Sequence, residues 1–419
     1  MVRGSAPCSR GTRGHTIGKK IARCALGIFL QFGAGNIGRG FMGQLFFEAG
    51  YEVVFVDVRK DLVDLLNARR VYPLYILDAY AKKTFRYSIG PVRAVLASDT
   101  EAVLEVFSRA EVCGTAVGVK NLGNLAPLIA LGIAKRKQEN ALPLDIYLCE
   151  NAKDASILLK KEVFRYLGEA EKEWAESNVG FVATSVARMV PPKEAFPELE
   201  DPLSIVADAY SEFPYDAQAS RASPPRVLSM RPVANFQAEF FRKLYTHNLG
   251  HSALAYLGYL KGYTYVHEGF SDPFVSEVFE KALDETTGAL LRRFSDLDRE
   301  EHRRIREDIR VRFGNPLLRD TVQRVARDPL RKLAPSDRLV GGALLCLEEG
   351  IFPEYVACVC AAALCYDWDG DSEAVELQKV LHERGVAFVL QECCGVSPKS
   401  PLGERIAFWY EFLQCVRKG

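Results

Sequence analysis

Lys243, His247, Asn248 and His251 crowd into one stretch, FFRKLYTHNLGH (residues 240–251), of a 419-residue chain that has only six histidines. An amine, an amide and two imidazoles can donate, accept or move protons. Drawn as an α-helix at about 100° per residue, all four fall on one side, and Leu249, Ala253 and Leu257 supply packing away from it. Three readings compete. The face is solvated and its histidines are satisfied by neighbours, or His247 and His251 ligate zinc, or Lys243 is a proton-transfer group. Zinc needs a third ligand and an activating acid, yet the residue after His247 is Asn248 and not the glutamate of HExxH. An amine of ordinary pKa about 10.4 loses its proton readily when desolvated beside a positive group. In that third reading Asn248 hydrogen-bonds the oxygen that changes between alcohol and carbonyl, and His251 holds substrate hydroxyls.

Such a face needs a nucleotide-binding partner, and the first half of the chain offers one. In ALGIFLQFGAGNIGRGF, an apolar strand over residues 25–32 runs into Gly33-x-Gly35-x-x-Gly38, and a helical pattern follows to about Ala49. A second apolar strand, YEVVFVDV, carries Asp57 near its end, nineteen residues beyond Gly38. Strand, glycines, helix, strand and terminal acid at this spacing form a dinucleotide fingerprint. Gly33 permits the tight turn, Gly35 lets the backbone approach a pyrophosphate, and Gly38 lets helix and strand pack closely. With Ala34, Asn36 and Ile37 they bring free N–H groups and a positive helix end to the phosphates. Asp57 accepts from the adenosine ribose, so NAD is the expected cofactor.

Strand and helix patterns continue to alternate through AEVCGTAVGV, LAPLIALGIAKR, LPLDIYLCEN and VGFVATSVARMVPP. Alternation of this kind predicts a doubly wound parallel sheet of Rossmann type, with ligands at the carboxyl ends of strands. Asn151 and the turn at Gly118 are therefore site candidates. The proline-rich MVPPKEAFPELEDP marks a domain junction, and beyond Asn235 the patterns are nearly all helical. The expected architecture is α/β plus all-α: an extension over residues 1–24, a nucleotide domain over 25–200, and a mainly helical substrate domain over 201–419.

Composition removes other classes. Lys plus Arg and Asp plus Glu are both 54, so no global field recruits nucleic acid or an anionic membrane. The longest nearly apolar run, YVACVCAAALCY, is far shorter than the ~20 residues that span a bilayer, and reads as a buried helix. Eleven cysteines without a CxxC pair read as free thiols of a reducing compartment, which places the protein in the cytoplasm. The basic extension, with no acid before Glu48, is a transit peptide, a disordered tail or an over-assigned start.

The spacing Lys243, four residues, Asn248, two residues, His251 resembles the signature of the polyol-specific long-chain dehydrogenases. FGAGNIGRGF, LNAR, TAVG, CEN, GHSALAYLG and NPLLRDTVQRVARDPLRKLAPSDRL match the family's pattern in order, so the resemblance covers nearly the whole chain from Ala25. It implies a Rossmann domain with an all-helical domain, no metal, a lysine base, and substrate contacts at Asn151 and Arg188. The implied reaction is reversible hydride transfer between NAD and D-mannitol 1-phosphate, giving fructose 6-phosphate, in a monomer or weak homodimer. For the sugar phosphate, the basic segment RVARDPLRKL offers Arg331 and Lys332, because a phosphate dianion needs cationic partners. Free-mannitol dehydrogenases, hexuronate reductases and an inactive NAD-binding sensor are the alternatives. Two positions depart from the pattern: Ala187 stands where the family usually has an acid, and His247 replaces an apolar residue.

Overall fold

The computed structural model describes residues 27–418; the extension over 1–24 lies outside the described residues. In chain order the strands are β1 Ile28–Phe32, β2 Glu52–Asp57, β3 Tyr72–Asp78, β4 Lys83–Ile89, β5 Val92–Leu96, β6 Val112–Thr115, β7 Leu144–Leu148, β8 Val179–Ala183, β9 Ile205–Asp208, β10 Phe213–Asp216 and β11 Met230–Val233. Six of them form one sheet, ordered β5-β2-β1-β6-β7-β8, with every pair parallel. Chain order reverses at β1, so the carboxyl ends of β1 and β6 flank the topological switch point where such sheets bind ligands.

The unbroken apolar runs of the sequence follow from this layering. Phe29, Val53 and Phe55 point into one core, while Leu30, Phe32, Val54 and Val56 point into another on the opposite face. A sheet covered on both faces leaves no strand residue for water, hence no polar alternation. The smaller sheets were not legible in the sequence. Strand β4, KTFRYSI, is an edge strand, largely exposed, and pairs antiparallel with β3. On the other side of β3 lies β9, and β10 pairs with β11. Strand pairing thus runs on to Val233, past the proline-rich stretch near residue 200.

After Val233 every long element among the described residues is helical. The cysteine-rich run becomes the helix Glu354–Leu364, buried from Val356 through Leu364. It packs beside Leu249–Leu260 and Pro273–Arg293 in one continuous core. Burying each Val or Leu there contributes about 1.5–3 kcal/mol relative to exposure. Among the polar contacts that join this bundle to the nucleotide region, two bear on the site. Arg312, on the helix Arg299–Phe313, pairs with buried Asp208 at the end of β9, 2.5 Å away, and donates to the Ala187 carbonyl at 2.5 Å. Lys243 makes the other.

Candidate active site

The glycine turn is built as its residue types require. Gly33 has φ +91°, and a Cβ there would lie 2.5 Å from the Ala116 carbonyl oxygen; at Gly38 it would lie 1.9 Å from the Gly33 oxygen. Asp57 braces the turn as well as facing it: Oδ2 accepts from the Ala34 N–H at 2.8 Å and Oδ1 from the Arg59 N–H at 3.0 Å. Gly35, by contrast, has open space, with no atom within 4 Å of an added Cβ, and Gly118, at φ +84°, is equally open. Asn36 is exposed and Ile37 half-buried at the start of the following helix. An uncovered backbone at Gly35 and Gly118 is what close approach by a pyrophosphate and a ribose–nicotinamide requires, so these residues fit NAD.

The Gly118 turn has a support that the sequence reading placed only as a strand end. Buried Glu150 accepts from Thr115 Oγ1 at 2.7 Å and from the Val117 N–H at 3.0 Å, tying the ends of β6 and β7 together. Burial pushes its carboxyl above the usual range, and these hydrogen bonds oppose the shift. Its neighbour Asn151 is left exposed at the carboxyl end of β7.

Lys243 meets Asn151 there, with Nζ donating to Oδ1 at 3.1 Å. Burial, and then the nearby charge of Arg338, lower the lysine's pKa to about 8. The local backbone is not the plain α-helix assumed from the sequence. Residues Lys243–Asn248 form a π-helical turn, in which the Leu249 N–H reaches back to the Leu244 carbonyl. A widened turn rotates each later side chain away from its α-helical position, and such bulges are frequent at functional sites. The angular positions read from a 100° step therefore do not apply across this turn.

The structure divides the set. Lys243, Thr246 and His247 line one cavity of about 280 Å³, with Ser185, Ala187 and Arg312 opposite. His251 instead lines a separate narrow void with Phe313 and Asp320. Its ring stacks on Phe313, centroids 4.5 Å apart, and Nε2 lies 3.0 Å from Asp320 Oδ2. Asn248 is buried and its backbone carbonyl accepts from Ser252; it lines neither space. Among the described residues, no group of three or more His, Cys, Asp or Glu is placed to hold a metal ion.

The three expected substrate cations have different surroundings. Arg188 is buried, stacked over Phe41 at 5.7 Å, and its Nε and Nη1 lack partners. Lys332 is also buried, its ammonium donating to the Val325 and Arg327 carbonyls, which holds it inside the helical core. Arg331 is partly exposed and paired with Asp328 and Asp337, each at 3.0 Å. The basic run therefore folds so that acids and carbonyls absorb its charges. Sequence reasoning overlooked Arg338, which is nearly buried and close enough to depress Lys243. Asp337 Oδ1 holds its Nε at 2.8 Å. The residue pattern KLAPSDRL gave no sign of this, since the approach of Arg338 to Lys243 depends on how distant helices pack.

Models of known families match almost all of this arrangement. The mannitol dehydrogenase Rossmann domain covers residues 28–228, and the mannitol dehydrogenase C-terminal domain covers 236–394. The chain belongs to the mannitol dehydrogenase family. It is an NAD-dependent dehydrogenase built on a Rossmann-type sheet and a helical C-terminal region. The two family segments divide just before the helix Phe236–Arg242, which leads into the lysine turn.

Within the mannitol dehydrogenase family, similar proteins include the mannitol-1-phosphate 5-dehydrogenase of Bacillus subtilis (strain 168), 39% identical over 376 residues, 90% of this chain and 97% of that one. The mannitol-1-phosphate 5-dehydrogenase of Brevibacillus brevis is 38% identical over 90% of this chain and 95% of its own. Among solved structures, a substrate-free D-sorbitol dehydrogenase has a TM-score of 0.77 at 18% identity, covering 93% of both chains. Pseudomonas fluorescens mannitol 2-dehydrogenase, in a ternary complex with NAD and D-mannitol, has a TM-score of 0.74 at 17% identity over 94% of this chain and 92% of that one. At such identities the solved structures establish the shared fold.

Proposed function

We propose that this dehydrogenase interconverts D-mannitol 1-phosphate and D-fructose 6-phosphate, with Lys243 as the general base. The observation that carries the reading is the Lys243–Asn151 pair at the carboxyl end of β7, in a chain aligned over nearly its full length with mannitol-1-phosphate 5-dehydrogenases. The turn at Gly33, Ala34, Gly35, Asn36, Ile37 and Gly38, with Asp57 and Gly118, would hold NAD; the chemistry supplied by that cofactor is hydride exchange with the carbinol carbon. Lys243, held near pKa 8, takes the hydroxyl proton in one direction and returns it in the other. Asn151 keeps the amine oriented at the strand end, and its amide N–H₂ stays available to the reacting oxygen. Asn248 and His251 act from behind, through the turn and through the Phe313–Asp320 contacts. Arg338, fixed by Asp337, is the cation whose charge most lowers the amine's pKa and is assigned to the phosphate end; Arg331 steadies it through the same Asp337.

Initial rates with NADH and fructose 6-phosphate, fructose or tagaturonate test the reading. Efficient turnover of fructose 6-phosphate alone is expected. Preference for fructose or tagaturonate would move the assignment to a free polyol or a hexuronate, and no turnover of any would leave a nucleotide-binding sensor.

A further inference from the structure

The geometry points to His247 and Thr246 as a hydroxyl-reading wall of the lysine cavity, specific for an uncharged polyol chain; this rests on the proposed function above. Both residues line the cavity that Lys243 lines, and both are buried, Thr246 at 1% and His247 at 8% exposure. Neither Thr246 Oγ1 nor His247 Nδ1 has a hydrogen-bond partner. In an ordinary helix a threonine hydroxyl can bond the carbonyl one turn back. The π-helical turn over Lys243–Asn248 alters the spacing that such a bond needs. Leaving a buried polar group unsatisfied costs free energy, so two adjacent ones call for an explanation.

The imidazole is held in place by apolar contacts. Phe313 meets it edge-on, centroids 5.0 Å apart, and the His251 ring stands 6.0 Å away at 70°. Burial, reinforced by the positive charge of Arg312 and Lys243 among others, keeps it neutral. A neutral imidazole has one nitrogen that donates and one that accepts, and the threonine hydroxyl does both. A sugar hydroxyl, itself donor and acceptor, satisfies either. A carboxylate only accepts, so it leaves the accepting imidazole nitrogen unsatisfied; the acids of this cavity, Glu212, Glu239, Glu301 and Asp308, are matched in it by Arg242, Lys243, Arg304 and Arg312.

The test compares the unaltered chain with His247→Leu, His247→Asn and Thr246→Val in NADH-dependent reduction of fructose 6-phosphate. Expected for His247→Leu is a KM at least about tenfold higher, with NADH affinity by fluorescence titration unchanged and the melting temperature equal or higher, because an unsatisfied group has been removed. His247→Asn, which keeps a donor and an acceptor, recovers most of the loss, and Thr246→Val shows a smaller rise in KM. An unchanged KM in His247→Leu overturns the inference. So does a lowered melting temperature in both His247 variants with parallel losses for NADH and sugar, because the residue is then structural. Should the unaltered chain prefer a different ketose, the substrate assignment falls, and the same KM comparison on that ketose still decides the role of His247.

Discussion

Lys243 Nζ and Asn151 Oδ1 lie 3.1 Å apart although 92 residues separate them in the chain. The bond joins the π-helical turn of the helical region, just after the helix Phe236–Arg242, to the segment that follows strand β7. It delivers an amine to the edge where a parallel sheet presents its ligands. Each region supplies part of the candidate site: the sheet brings the glycine turn and Asn151, and the helical region brings the desolvated amine of Lys243.

Replacing the base should separate binding from chemistry. Lys243→Ala is expected to retain NADH binding, measured by fluorescence, and to lose roughly 10²–10⁴-fold in kcat, the usual contribution of a proton-transfer group. In the unaltered enzyme, polyol oxidation requires the neutral amine. Its kcat/KM should therefore rise with pH and level off above about 8, where burial and Arg338 place the lysine. Ketose reduction requires the ammonium and should decline over the same interval. Near-native turnover in the variant would exclude Lys243 as the base.

Asp57 carries two duties, and one substitution should expose both. A carboxylate at the second strand's end repels a 2′-phosphate, so kcat/KM should favour NADH over NADPH. Asp57→Ala removes the acceptor of the Ala34 and Arg59 N–H groups. It should narrow that preference and also lower the melting temperature, because the glycine turn loses its brace. Equal kcat/KM for the two cofactors in the unaltered enzyme would show that Asp57 does not read the ribose.

For the phosphate, Arg338 and Arg331 should differ in degree. Arg338→Ala is expected to raise KM for fructose 6-phosphate by about tenfold or more, equivalent to ~1.4 kcal/mol of lost binding. Arg331→Ala should raise it less, because that residue acts by holding Asp337 against Arg338. Weak activity on unphosphorylated fructose should change little in either variant. An equal loss with both sugars would assign Arg338 to the chemistry or the fold.

The interface has its own critical pair. Arg312 and Asp208 are both buried and 2.5 Å apart, and removing one partner of such a pair strands a charge. Arg312→Ala should destabilise the protein by roughly 3–5 kcal/mol, seen as a lower midpoint in chemical denaturation. Arg312→Met with Asp208→Leu should recover much of it. If the single variant unfolds like the parent, the Arg312–Asp208 pair contributes nothing to holding the two regions together.

What the sequence determined by itself was everything governed by local rules. The turn at Gly33, Gly35 and Gly38 has one backbone solution, strands buried on both faces must be apolar throughout, and the helical period of the second half is unmistakable. Lys243 and Asn151 were nameable because strand ends and a short signature identify them without reference to distance. Only the tertiary structure decided which neighbours each charge meets. Arg331 and Lys332 look alike in the sequence, yet one ends among surface acids and the other inside the core on carbonyl groups. A π-turn over Lys243–Asn248 and the packing around it decided that His247 lines the lysine cavity while His251 meets Asp320. Local pattern fixes the period of an element; the direction in which its charged groups finally point depends on how the elements pack.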